Sequence, residues 1–215
     1  MLTERRRARS EGTSEFAVEL LNKENDLATS STKKTTNMTY LTPEFLETDR
    51  LLLRTFLEND WKDLHKYYSD EASMKYTTGR ALTEGETWRT MAAMLGHWQL
   101  RKYGSYALEE KTSHAVIGVA GLDYPNDWPE PEIKWGLIRD CWGKGYASEA
   151  VRAVKKMWSE YLPELSLISL IHPDNTNSIN LAEAVGAYFE REHEFRGEKW
   201  SIYRHTQKQI ASKHS

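Results

Sequence analysis

Apolar and polar positions alternate with two periods along most of this chain, and the switches between them mark the elements. The run RLLLRTF at 50–56 is short, apolar and charged at its ends, which predicts a strand. From Glu58 to Tyr68 the spacing changes to that of a helix, with Trp61, Leu64, His65 and Tyr68 on one face and Asn59 or Asp60 as the cap. Thr83 and Glu86 form a capping-box pattern that opens a helix to about Lys102, along which Trp88, Met91, Leu95 and Trp98 recur at helical spacing. SYALEE and HAVIGVAGL flank Lys111-Thr112 and predict a hairpin. The stretch 124–131 is a turn-rich loop with two aromatics. Residues 132–138, EIKWGLI, alternate again: Ile133, Trp135 and Leu137 share one face, Glu132, Lys134 and Gly136 the other. A helix follows from Tyr146 to about Tyr161, ended by Pro163. LSLISLI at 165–171 is continuously apolar, as for a central strand covered on both faces. HPDN at 172–175 predicts a turn, and residues 178–185 a short helix closed by Gly186. Strands near Ala187–Glu190 and Lys199–Tyr203 complete the pattern.

This order predicts an α/β chain with a mixed central sheet. Of 215 residues, 44–206 are expected to form one folded domain. Residues 1–43 carry the basic cluster RRRAR and few aromatics, and are expected to be mostly disordered; 207–215 are expected to be a frayed end. The net charge of -3 argues against nucleic acid or an anionic membrane as partner. The single Cys141 cannot form an internal disulfide, and there is neither a run of 18 apolar residues nor a signal-peptide core. A cytoplasmic protein is expected.

The most informative stretch is RDCWGKGYASEA at 139–150, where Gly143 and Gly145 lie between a strand and an amphipathic helix. Two glycines strip side chains from such a turn, and the helix start presents N–H groups to an anion. A phosphate-bearing ligand is expected, with Lys144 either helping to neutralise it or simply solvated. The dinucleotide fingerprint is incomplete because position 148 is Ser, which makes hydride transfer improbable. A Walker A loop, a GxSxG elbow and close histidine spacings are absent from the sequence, so neither a metal nor a serine nucleophile is expected.

The series DRLLLRTF, GVAGL, EIKWGL, WGKGYASEAVRAV, HPDNTNSINLAEAVGA and KWSIYR resembles the GCN5-related N-acetyltransferase superfamily over roughly residues 46–205. It is most similar to the branch that holds ribosomal-protein-alanine N-acetyltransferases. The resemblance implies an acyl-CoA N-acyltransferase fold, a mixed six- or seven-stranded sheet with helices on both faces, with acetyl-CoA between two splayed parallel strands at 132–138 and 165–171. It implies cofactor contacts from Ile138, Cys141, Trp142, Gly143, Lys144, Gly145, Tyr146 and Ala147 around the pyrophosphate. Asn175 and Ser178 match an element beside the pantetheine arm, although Ser178 could equally cap the next helix. Asp140 stands where relatives prefer Gln or Arg, and must turn away from the phosphates or serve as a cap. Ala182 stands where many relatives carry a tyrosine acid, so the leaving thiolate needs another donor.

Glu132 matches a proton-accepting glutamate of the family, with a solvated strand-edge role as the alternative. His172 could face the same cleft or be a turn residue, and Cys141 reads as structural, since direct transfer needs no nucleophile. Tyr124, Trp128 and Trp88 are expected to line an acceptor pocket, with Asp123 and Asp127 adding acid character. The implied reaction is acetyl transfer to a primary amine, of a small molecule or a protein N-terminus, by a monomer or homodimer. The competing reading is a non-catalytic CoA-binding or interaction module on the same fold.

Overall fold

The computed structural model describes residues 40–207. The expected basic tail before Tyr40 and the last eight residues lie outside the described residues. Strands β1 (Phe45–Glu47) and β2 (Leu51–Arg54) lead to helices α1 (Asp60–Tyr68), α2 (Glu71–Met74) and α3 (Glu84–Arg101). Then come β3 (Ser105–Glu110), β4 (Val116–Asp123) and β5 (Glu132–Leu137), a single 3₁₀ turn at Arg139–Cys141, α4 (Tyr146–Tyr161) and β6 (Ile168–Ile171). Helix α5 (Thr176–Ala184) and the hairpin of β7 (Ala187–Phe195) and β8 (Glu198–His205) finish the fold. The eight strands form one sheet in the order β1-β2-β3-β4-β5-β6-β8-β7. Every neighbouring pair is antiparallel except β5 and β6.

The predicted capping box is formed: the Thr83 hydroxyl accepts from the Glu86 N–H, and the Glu86 carboxylate accepts from the Thr83 N–H at 2.9 Å. Two other expected caps differ. Asn59 starts α1 in a helical conformation without a side-chain hydrogen bond, and the Asp60 carboxylate is committed to Arg54 and the Leu57 N–H. Asn175, not Ser178, caps α5, accepting from the Ser178 N–H at 3.2 Å. Strand β1 and the short α2 carry too few residues to show a period, and the sequence pattern did not predict them.

Register places the core. On β3, Ala107 faces α1 and α3, while Tyr106 and Leu108 face α4. Opposite them β4 carries one extra residue, since Ala107 pairs with Val119 and Glu109 with Val116. That bulge lets Val116 and Val119 both reach one layer while Ile117 and Ala120 reach the other. The stripe of α3 turns inward on Met91, Met94 and Trp98, leaving Trp88 half exposed.

Packed chain begins earlier than Glu44, where the sequence pattern put the domain start. Tyr40 meets Trp98 edge to face at 5.1 Å, the Leu41 N–H donates to the Lys102 carbonyl at 2.7 Å, and Tyr106 donates to the Pro43 carbonyl at 2.7 Å. These contacts are long-range, so no local period announces them. Trp98 joins this segment to the sheet: its indole N–H donates to the Ser105 carbonyl at 2.7 Å and its ring meets Tyr106 at 5.0 Å. Trp98→Ala is therefore expected to lower the unfolding free energy by about 3–5 kcal/mol in urea titrations, with the strand content retained.

Candidate active site

The site arises where β5 and β6 part. They share one rung, Glu132 opposite Ile168, with the Ile168 N–H donating to the Pro131 carbonyl at 3.0 Å. Beyond it the strands diverge, and a groove of about 510 Å³ opens between them. Its walls include Trp135, Gly136 and Leu137 of β5, the glycine loop, and Asn175, Ser178 and Leu181 of α5. Tyr67 and Tyr76 close the side of α1 and α2.

Backbone groups along a strand point alternately to its two neighbours. The Pro131 and Ile133 carbonyls point toward β6, so those of Trp135 and Leu137 do as well. Side chains serve several groups stranded by the fork. Ser169 donates to the Ile133 carbonyl at 2.5 Å, Trp142 donates to the Leu137 carbonyl at 2.8 Å, and Glu132 accepts from the Leu170 N–H at 3.2 Å. The peptide groups of Trp135 remain, facing the groove.

At the other end, Gly143 and Gly145 have φ of +71° and +83°, the left-handed region that favours glycine. Gly145 is the N-cap of α4 and supplies no side-chain cap, unlike Asp70, Thr83 and Asn175 at their helices. The first-turn N–H groups of α4 are thus uncapped by a side chain and carry the helix's positive end. Arg50 fixes this loop: it donates to the Lys144 carbonyl at 2.9 Å, pairs with Glu149 at 2.7 Å and lies 4.2 Å over the Tyr146 ring. Asp140 sits exposed in the 3₁₀ turn and caps no helix.

The groove brings together Cys141, Trp142, Gly143, Gly145, Ala147, Asn175 and Ser178 from the expected cofactor set. Three others lie elsewhere. Ile138 packs between the two main core clusters, the exposed Lys144 contributes a carbonyl to Arg50, and Tyr146 hydrogen-bonds Glu110 beneath Arg50. Burial raises the Cys141 thiol above its usual value. Tyr67, Tyr76 and Asn180 line the groove without having been singled out. Only Tyr67 had a local signal, its spacing of three from Leu64 on α1.

Glu132 is 5% exposed, at the fork itself. Burial and the neighbouring Asp123, its partner in the β4–β5 register, push its carboxyl up from 4.5 to about 8. The Leu170 N–H, Lys134 and the Trp128 indole oppose that rise. The Trp128 N–H is buried without a hydrogen bond of good geometry, so it faces the carboxyl rather than binding it. On the other side of the fork His205 donates through Nε2 to Ser169 at 2.9 Å, because the Ser169 proton is given to Ile133. Burial drives His205 down to about 3, so its ring stays neutral.

His172 does not line the groove; its Nδ1 accepts from the Asp174 N–H at 3.1 Å and its ring stacks on Tyr76 at 5.1 Å. Trp128 packs on Phe195 at 4.9 Å, Tyr124 lies 4.5 Å beneath Arg101, and the exposed Trp88 is not part of the groove wall. The acid character expected of this region is largely neutralised, since Asp123 binds Lys134 at 2.6 Å and Asp127 binds Arg196 at 2.6 Å.

The profile of the acetyltransferase (GNAT) domain covers residues 50–188. The chain belongs to the GNAT acetyltransferase family. It is 31% identical over 153 residues to the uncharacterized N-acetyltransferase p20 of Bacillus licheniformis, spanning 69% of this chain and 84% of that protein. The crystal structure of an acetyltransferase from Agrobacterium tumefaciens is 26% identical, with a TM-score of 0.68 over 78% of this chain and 97% of that one. RimL, a ribosomal L7/L12 α-N-protein acetyltransferase solved with coenzyme A, is 16% identical over 75% of this chain and 97% of its own, and its TM-score of 0.63 reflects the shared fold. The mixed sheet expected of a GNAT acetyltransferase is thus present, with the fork in the expected strands.

Because the folded carboxyl of Glu132 holds its proton to about pH 8 and the unfolded one releases it near 4.5, unfolding releases a proton between those values. The contribution of Glu132 to stability is full below pH 4.5 and is lost as pH rises through about 8. Glu132→Gln should remove that downward slope, as read from urea midpoints at pH 5, 6.5 and 8.

Proposed function

We propose that this GNAT acetyltransferase moves the acetyl group of acetyl-CoA to a primary amine, of a small molecule or a protein N-terminus, within a ternary complex. The observation that carries the reading is the fork, with peptide groups of Trp135 turned into a groove that ends at bare helix N–H groups. These residues suit a long, amide-containing, doubly phosphorylated arm. Trp135 offers a strand-like donor and acceptor, Asn175 and Ser178 flank the middle, and the loop from Gly143 to Ala147 offers amides to phosphate. Acetyl-CoA, when bound, supplies an activated acetyl thioester. The relatives' acetyltransferase names and the coenzyme A held by RimL support this choice.

Glu132 is the residue assigned to proton handling. An amine attacks only in its neutral form, and a carboxylate at the fork can take its proton directly or through one water. The value of about 8 keeps this base poised near neutral pH instead of permanently ionised. The Leu170 N–H holds one carboxyl oxygen in place. His172 acts at a distance, by packing Tyr76 against the groove wall.

Two measurements test this reading. Gly145→Val forces a β-branched residue to φ of +83° and sets its Cβ 3.4 Å from Arg50. Calorimetry should show CoA binding weakened by about 2 kcal/mol or more in a protein that still folds; unchanged affinity would rule the loop out. For Glu132→Gln, thiol release with a panel of amines should fall about 10²–10⁴-fold near neutral pH, while CoA affinity holds. The parent rate should climb as pH rises through about 8, and the variant should recover rate only as the acceptor amine itself becomes neutral.

A further inference from the structure

We propose that the Tyr67 hydroxyl is the hydrogen-bond donor to the sulfur of CoA in this site. Ala182 is fully buried and apolar, so α5 supplies no hydroxyl at that position. Tyr67 reaches the groove from the opposite side, on α1. It lies so close to β5 that a Cβ added at Gly136 would meet its oxygen at 2.3 Å. Glycine at 136 is what admits the hydroxyl to the strand. Among the described residues no hydrogen-bond partner holds that hydroxyl, although the ring is 6% exposed and packed against Tyr68 at 4.8 Å. Burial and the adjacent Tyr68 keep the phenol protonated, with Lys134 opposing weakly.

Position along the groove selects the sulfur. Gly136 lies between the glycine loop, which suits the phosphates, and Glu132, which suits the attacking amine. A thioester that reaches from one to the other passes its sulfur over this stretch. The two other tyrosine hydroxyls near this stretch are engaged or turned elsewhere: Tyr146 is bound to Glu110, and Tyr76 interacts with Lys75 while stacking on His172. Of the smaller hydroxyls on the wall, Ser73 donates to Asp70 and Thr77 to the Met74 carbonyl.

The inference rests on the acetyl-CoA reading, and its test separates the two. The ionisation of the bound CoA thiol is followed by ultraviolet absorbance, as the difference between protein with CoA and protein with desulfo-CoA. A donor aimed at sulfur stabilises the thiolate, so Tyr67→Phe should lower the thiol's ionisation constant about tenfold. CoA affinity and melting temperature should stay close to the parent's, since the ring is retained. Tyr76→Phe should leave the thiol's ionisation unchanged. In the transfer assay, Tyr67→Phe should lower kcat by about 10²-fold with little change in KM for acetyl-CoA. Bound CoA whose thiol titrates alike in parent and Tyr67→Phe would overturn the assignment while leaving the acetyl-CoA reading intact. A shift in Tyr76→Phe instead would move the donor to α2's flank and equally overturn it. Failure of CoA to bind the parent would sink both.

Discussion

Strands β5 and β6 share one rung and then separate inside the protein, and buried peptide groups cannot be left without partners. The rest of the site follows from how that demand is met. Ser169, Glu132 and Trp142 each take up a backbone group that a regular ladder would have paired. The peptide groups of Trp135 face the groove. Ser169 is itself held by His205.

The same arrangement sets the chemistry of Glu132. Its carboxyl is taken out of water to serve the Leu170 N–H, and stands beside Asp123 in the neighbouring strand. Both effects oppose ionisation and outweigh the Leu170 N–H and Lys134. Structural work at the fork and a carboxyl poised near neutral pH are thus one feature. On the far side, His205 is held neutral by burial and serves as a donor to Ser169. The glycine loop shows the opposite electrostatics. Glu149, in the first turn of α4, is drawn off by Thr48 and Arg50 at 2.6 Å and 2.7 Å, which leaves the helix start open to an external anion.

Amphipathic periodicity and local turn chemistry were enough to predict most elements. The box at Thr83 and Glu86, the helix from Tyr146 to Tyr161 and the alternation of β5 depend on neighbours within four residues. So does the glycine pair, because a left-handed turn before a helix needs glycine whatever surrounds it. The ordered motifs then pointed to the GNAT family and to a fork between two named strands. The length of the β7–β8 hairpin, the bulge in β4 and the packing of Tyr40–Pro43 were not local properties, and the sequence pattern missed or shortened them.

Within the site, the sequence by itself determined which residue types were available: glycines for an anion loop, a glutamate at the head of β5, Asn175 before a helix. Tertiary structure alone decided what each one touches. It turned Tyr146 toward Glu110, sent Ile138 into the core, neutralised Asp123 and Asp127, and moved His172 behind Tyr76. It also set Tyr67 against Gly136, two residues 69 positions apart. The reason is physical. Periodicity records which side of an element is buried, whereas a partner across the groove depends on long-range register, and register is fixed only when the sheet and its helices pack together.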